Sequence, residues 1–216
     1  MDQKENELLH NESLKLTTNK NEIYNKWAES YDNYVKSKKY TGPNELVSEL
    51  CNIIYYRELE NKKITILDFG CGTGLVGEEI RKRMMIVCLD GIDISEKMII
   101  KCAKKKCYNK IFNIDLSKDN LKKEYINQYN FIVSSGVFLE GHVPFSIIPN
   151  LIKYLKPYGY LLITIRESYS KDNNNNNNYK DFKLYITNNS NLLLKKILRI
   201  NYLENVKCEL YILQKL

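Results

Sequence analysis

No apolar run in this 216-residue chain is long enough to cross a membrane. The longest are short, such as LLITI at 161–165, against the roughly 20 residues a spanning helix needs. The first ten residues, MDQKENELLH, are polar and acidic and lack the apolar stretch of a secretory leader, so a cytoplasmic and in part nuclear setting is expected. Histidine is scarce, with only His10 and His142, and none of the six cysteines (51, 71, 88, 102, 107 and 208) forms a C-x-x-C pair. Without that spacing, and without a histidine at a zinc-finger interval, no metal site is expected. The cysteines read as thiols, mostly buried. No internal repeat and no second domain stands out.

What is present is a globular composition, 44% hydrophobic and 27% charged, with a formal net charge of +7. That balance allows a nucleic-acid partner but does not favour one, because the lysines are scattered as pairs and triplets such as KKK at 104–106 rather than gathered in one block. Six consecutive asparagines at 173–178 offer no apolar side to pack, so a disordered loop is expected over 170–179.

Residues 1–22 read as a flexible, irregular arm. From Ile23 an aromatic segment begins, in which Tyr24, Trp27, Tyr31 and Tyr34 recur at helical spacing. Gly42 and Pro43 are expected to stop this helix, and Asn44 to cap the next, whose apolar face includes Leu46, Leu50, Ile53 and Ile54. The helical region 23–60 is either pinned on the core or a lid whose aromatic side chains close a pocket. Short apolar strands and helical segments then alternate from 64 to 165: ITILDFG, LVGEEIRKRM, IVCLDGID, SEKMIIKCAKKK with Ser95 as cap, KIFNID, YNFIVSSG, PFSIIPNLIKYL and LLITIRES. This alternation predicts an α/β fold, a doubly wound, mostly parallel sheet covered by helices on both faces. In the tail, DFKLYITNN is strand-like, NLLLKKILR suits a short helix, and VKCELYILQKL reads as a final antiparallel strand.

In such sheets ligands sit outside the carboxyl ends of the strands. Asp68 and Gly70, Gly72 and Gly74 close the first strand, Asp93 the second, Asp115 the third, and Ser134–Gly136 the fourth. The hexapeptide GTGLVG matches G-x-G-x-x-G, and Asp93 lies 21 residues beyond Gly72, where a carboxylate accepts bonds from ribose hydroxyls of either a nicotinamide dinucleotide or S-adenosylmethionine. Asp68 separates the two. A carboxylate before the loop repels the phosphates of a dinucleotide, whereas it suits the ammonium of S-adenosylmethionine, which has no phosphate. A dehydrogenase would also want a Tyr-x-x-x-Lys pair, and the stretch from Tyr154 ends in Tyr158 rather than lysine.

The run ILDFGCGTG resembles the first motif of the class I S-adenosylmethionine-dependent methyltransferases, and LDGIDIS, NIDL, YNFIVSSGVF and LIKYLKPYGYLLITI resemble the later motifs in order. YDNYVKSKKYTGP, GTGLVGEEIRKR, DGIDISEKM and GVFLEGHVP are further similar to the methyltransferase-like protein of the Williams–Beuren syndrome region and its relatives. The resemblance implies a Rossmann-like, three-layer domain over 23–216 with a seven-stranded sheet, six strands parallel and one antiparallel. It implies S-adenosyl-L-methionine as cofactor. Asp68, Gly70, Cys71, Gly72 and Gly74 would cradle the methionine end, Asp93 with Ile94 would hold the ribose, Asp115 and Leu116 would meet the adenine, and Ser135 and Gly136 would border the methyl. Asp115 is otherwise a turn residue. The usual glycine pair after LKP is replaced by Tyr158 and Gly159.

For catalysis the candidates are His142, in EGHVP beyond the fourth strand, as a base or an ordering loop residue, and Tyr31, with Tyr40 and Trp27, as lid aromatics over the site. No N/D-P-P-Y/F tetrapeptide follows the fourth strand, which argues against adenine, cytosine or glutamine amide methylation. A monomer acting on the oxygen or nitrogen of a small molecule is expected. RNA, protein and purely cofactor-binding readings remain open.

Overall fold

The computed structural model describes residues 1–59, 63–84, 87–170 and 177–216. In chain order the helices are α1 (Gln3–Ser13), α2 (Lys20–Trp27), α3 (Tyr31–Ser37), α4 (Gly42–Tyr56), α5 (Leu75–Arg83), α6 (Glu96–Lys104), α7 (Ile148–Tyr154), α8 (Glu167–Ser170) and α9 (Asn177–Asn188). The strands are β1 (Ile64–Phe69), β2 (Val87–Asp93), β3 (Lys110–Asn113), β4 (Tyr129–Phe138), β5 (Leu155–Arg166), β6 (Leu192–Leu203) and β7 (Val206–Lys215). They form one sheet in the order β3-β2-β1-β4-β5-β7-β6. The pairs from β3 to β5 are parallel, and β7 runs antiparallel to both neighbours. The expected seven-stranded α/β sheet, with one strand reversed, is therefore present.

Alternate residues of the central strands feed two cores. Ile66, Phe131, Val133 and Leu162 pack with Leu46, Val47 and Leu50 of α4 and Val76 and Ile80 of α5. Leu67, Ile132, Leu161 and Ile163 pack on the other face with Ile148 and Leu151 of α7 and Phe182 of α9. Burial on both faces explains why these strands read as continuous apolar runs. Leu46, Val47 and Leu50 are fully buried, each contributing about 1.5–3 kcal/mol relative to exposure.

Several local expectations change. The stretch expected to be an irregular arm carries α1, opened by a capping box between Asp2 and Glu5. The aromatic segment is two helices, α2 and α3, broken around Ala28–Ser30. Gly42 and Pro43 begin α4 rather than only ending the helix before it. Thr41 takes the cap position in place of Asn44, because proline is at home in a first helical turn, where its missing N–H is not needed.

In the tail the two assignments exchange. DFKLYITNN lies in α9, where Tyr179, Phe182 and Ile186 recur at helical spacing and are buried, with Phe145 stacking on Phe182 at 4.5 Å. NLLLKKILR lies in β6, an edge strand held by its hairpin partner β7, so the tertiary pairing overrides the local preference. Ser134–Gly136 lie inside β4 rather than beyond it, at a register shift between Ser134 and Phe138. Such a bulge re-aims side chains at the strand's ligand end. Most of the asparagine-rich loop expected over 170–179 lies outside the described residues.

Candidate active site

A cavity of about 670 Å³ opens at the carboxyl ends of β1, β2 and β4, a volume in the range of small-molecule sites. The residues after β1 form its first edge. Gly70 has φ +74°, and a Cβ there would meet Val137 Cγ2 at 2.2 Å. Gly72, φ +53°, has nothing within 4 Å of where a Cβ would stand, so a side chain there would fill the space a ligand needs. The amides of Gly70 and Cys71 both donate to the Ile92 carbonyl at 2.9 Å, and Gly72 N–H donates to Asp93 Oδ2 at 2.8 Å. Asp93 Oδ1 accepts from Ser95 N–H at 2.8 Å, and the Ser95 hydroxyl in turn accepts from Met98 N–H at the start of α6. Burial raises the Asp93 pKa, opposed by the bonds from Ser95, Gly72 and Ile94.

Of the residues singled out in the sequence, Gly70, Gly72, Asp93, Ile94, Asp115, Leu116, Ser135, Gly136, Tyr31 and His142 line this cavity together. Asp68, Cys71 and Gly74 lie outside its wall. Asp68 is wholly buried and accepts a 2.6 Å bond from the Tyr108 hydroxyl, while its other oxygen has no partner among the described residues. Burial pushes its carboxyl up to about 7, and the charge of Asp93 adds to this. Cys71 is buried beneath the loop against Cys102 and its thiol is held well above the ordinary range. Asp115 accepts from Ser117 and pairs with Lys118 at 3.1 Å, so its carboxylate is committed to the local turn while its residue lines the cavity.

His142 is half-buried with both ring nitrogens engaged. Nδ1 lies 3.0 Å from the Glu140 carbonyl, which can only accept, so Nδ1 carries the proton and Nε2 accepts from the Tyr24 hydroxyl at 2.8 Å. Burial lowers its pKa to about 4, against the raising bond to Glu140. Tyr31 carries no hydrogen bond to a described residue, and burial raises its phenol well above the ordinary value.

Several contributors were not foreseen. Asn19, Lys20 and Asn21, the cap and first turn of α2, line the cavity together with Tyr24 of the same helix. Asn25 accepts from Ser95 Oγ and Lys97 N–H, and Asp32 accepts from Thr73 and pairs with Lys105 at 2.7 Å. Tyr40, expected as a lid aromatic, bonds Ser135 of β4 at 2.9 Å. These bonds tie α2, α3 and the following turn to the loop after β1, to both ends of α6 and to β4. Nothing in the local sequence marks Asn25 or Asp32, since each contact joins segments distant in the chain.

A methyltransferase-domain family model matches residues 45–195, most of the chain. The chain belongs to this methyltransferase family. Over 141 residues it is 29% identical to the malonyl-[acyl-carrier protein] O-methyltransferase of Priestia megaterium, covering 65% of this chain and 48% of that protein. It is 28% identical over 148 residues to human methyltransferase-like protein 27, covering 68% and 58%. The chain thus spans about half the length of the curated relatives it matches. Among solved structures, the plantazolicin methyltransferase in complex with a pentazolic desmethylPZN analog and SAH superposes over the full length of both chains, with a TM-score of 0.62 at 17% identity. The methyltransferase fold is shared throughout. Among the described residues, no helix is long and apolar enough to cross a membrane.

Proposed function

We propose that this methyltransferase domain binds S-adenosylmethionine in the large cavity and transfers its methyl group to an oxygen or nitrogen of a small molecule. The observation that carries the reading is the Asp93 carboxylate at the end of β2, facing a glycine loop whose Gly72 leaves open space. The residues fit the group. A carboxylate suits a ribose diol, Phe69, Ile92, Met98 and Leu116 supply apolar walls for an adenine and thioether, and Gly136 and Ser135 stand where β4 bulges toward the ligand.

S-adenosylmethionine, when bound, supplies a methyl carbon activated by a sulfonium. The chain's own part is alignment and exclusion of water. We assign Asp93 and Ile94 to the ribose, Leu116 to the adenine, and the backbone of Gly70–Gly74, supported from beneath by Asp68, to the methionine end. Of the region 23–60 expected as a lid, α2 and α3 take that part, with Tyr31 at the inner face, because α4 packs into the core on the sheet and lines no part of the cavity. His142 serves first as a neutral orienting residue, since its lone pair already accepts from Tyr24. The similarity to the Williams–Beuren region protein belongs to this proposal. The 28% identity to methyltransferase-like protein 27 supports it about as strongly as the 29% identity to the malonyl enzyme supports that likeness.

Calorimetric titration tests the reading. S-adenosylmethionine should bind and NAD should not. Asp93→Ala should weaken binding by about 10- to 100-fold, the worth of one or two charged hydrogen bonds. NAD binding in place of S-adenosylmethionine would overturn the proposal.

A further inference from the structure

A second, smaller cavity of about 50 Å³ adjoins the first, and Tyr24, Tyr31 and Gly136 border both. Its other lining residues include the rings of His10, Trp27, Tyr34, Tyr40 and Tyr202, aliphatic side chains such as Leu139, and Arg166. Arg166 is the last residue of β5, paired through its backbone with Cys208 of β7 and half-buried, and its guanidinium makes no hydrogen bond and no ion pair among the described residues. The other cations lining the two cavities are satisfied. Lys20 donates to the carbonyl of Ser13 at 2.9 Å, to that of Lys15 and to the Thr18 hydroxyl, and Lys118 pairs with Asp115. A guanidinium with no carboxylate partner among the described residues, in a recess rich in rings that shares Tyr24, Tyr31 and Gly136 with the larger cavity, suits an anionic group.

We propose that Arg166 holds a carboxylate of the methyl acceptor, and that the acceptor is an organic acid with an apolar body, methylated on its carboxylate oxygen. This rests on the methyl-donor reading above and names its acceptor. The step balances without a base. A carboxylate oxygen forms the bond to the methyl carbon as the carbon–sulfur bond breaks and its electron pair stays on sulfur. The negative charge of the acid and the positive charge of the sulfonium cancel, and no proton moves. An amine or alcohol would need a proton removed, and the nearest base, His142, has its lone pair occupied by the Tyr24 hydroxyl. The recess has room only for the carboxylate head group, so the apolar body lies in the larger cavity, against Tyr24 and Tyr31, which border both.

The test uses a panel of aryl and alkyl carboxylic acids, phenylpropionate and octanoate among them, each beside its amide. Binding is read by ligand-observed NMR on the cofactor-free protein, and transfer by labelled S-adenosylmethionine followed by mild alkali, which releases methanol from a methyl ester. Acids should bind in preference to their amides, and the transferred label should be alkali-labile. Arg166→Gln should weaken acid binding by about 10- to 100-fold, with S-adenosylmethionine affinity unchanged as the control for folding, and Arg166→Lys should recover part of the loss. Equal binding of acid and amide, no binding by any acid of the panel, an alkali-stable label, or an Arg166→Gln protein that binds acids like wild type would overturn the proposal. A wild type that fails to bind S-adenosylmethionine would instead sink the donor reading, while the acid-against-amide comparison would still report on Arg166.

Discussion

Two ionisable groups at the site, the buried Asp68 and the half-buried His142, pull stability in opposite directions with pH. Asp68 is held near 7, mainly by burial, whereas an unfolded aspartate titrates near 3.8. Between those values the folded chain keeps a proton that the unfolded chain has lost, so stability falls as pH rises through this window and levels above it. Asp68→Asn keeps an acceptor for Tyr108 and removes the titration. Urea unfolding should show the variant gaining on wild type, by on the order of 2–4 kcal/mol, between about pH 4 and pH 8.

His142 does the reverse. Its folded pKa is about 4 against 6.5, so the unfolded chain binds the proton first and stability is lost as pH falls below about 6.5. His142→Gln should flatten that acid-side loss. Methyl transfer by wild type should show no limb near 6.5, because the ring stays neutral in the folded protein. A rate that halves through 6.5 would mean that a solvated histidine acts as base.

At the scale of elements, the proposed lid of α2 and α3 is joined to α1 by polar bonds and not by apolar faces alone. Asn6 of α1 accepts from Trp27 Nε1 at 2.9 Å and from the Ser30 hydroxyl at 2.7 Å, and donates to the Asp2 carbonyl. Asn6→Ala leaves a buried indole N–H unsatisfied and should cost about 1–3 kcal/mol, raising the KM for the acceptor more than it changes kcat. An unchanged KM would detach α1 from the lid.

The same bonds explain what the sequence hid. Strands β1, β2, β4 and β5 were legible because both faces are largely buried, so each carries a short, mostly apolar run such as FIV in β4 and LLITI in β5. The strand-end residues Gly70, Gly72, Asp93 and Asp115 were legible because this topology puts ligands at those ends. Helix α1 has a polar composition, and its caps and its bonds to Trp27 and Ser30 are invisible to periodicity. Strand β6 exposes Leu193, Leu194 and Ile197 on an edge, so its alternation is blurred and only the hairpin with β7 makes it a strand. Arg166 escaped notice because the feature that marks it is a missing partner, which no local pattern encodes.

For the whole molecule, the cavity is a seam. The sheet supplies Gly70, Asp93 and Ser135, the lid supplies Tyr24 and Tyr31, and Asn25, Asp32 and Tyr40 fasten the lid to the loops after β1 and β2 and to the bulge of β4. A ligand in a seam binds only the state in which both sides are folded, so it stabilises both together. The chain has a single tryptophan, and Trp27 is buried among α1 to α3, whereas most of the helices and all of the strands that give the far-ultraviolet circular dichroism lie outside those three helices. Fluorescence and dichroism melts should therefore coincide without ligand, as they do for one cooperative unit. S-adenosylmethionine at one hundred times its dissociation constant adds about 2.7 kcal/mol, which for a chain of this size raises both midpoints by about 5–10 °C. NAD at the same concentration should move neither. If Trp27 fluorescence melts first, and the ligand shifts only the dichroism, the sheet holds the ligand alone and the lid is a separate unit rather than one wall of the site.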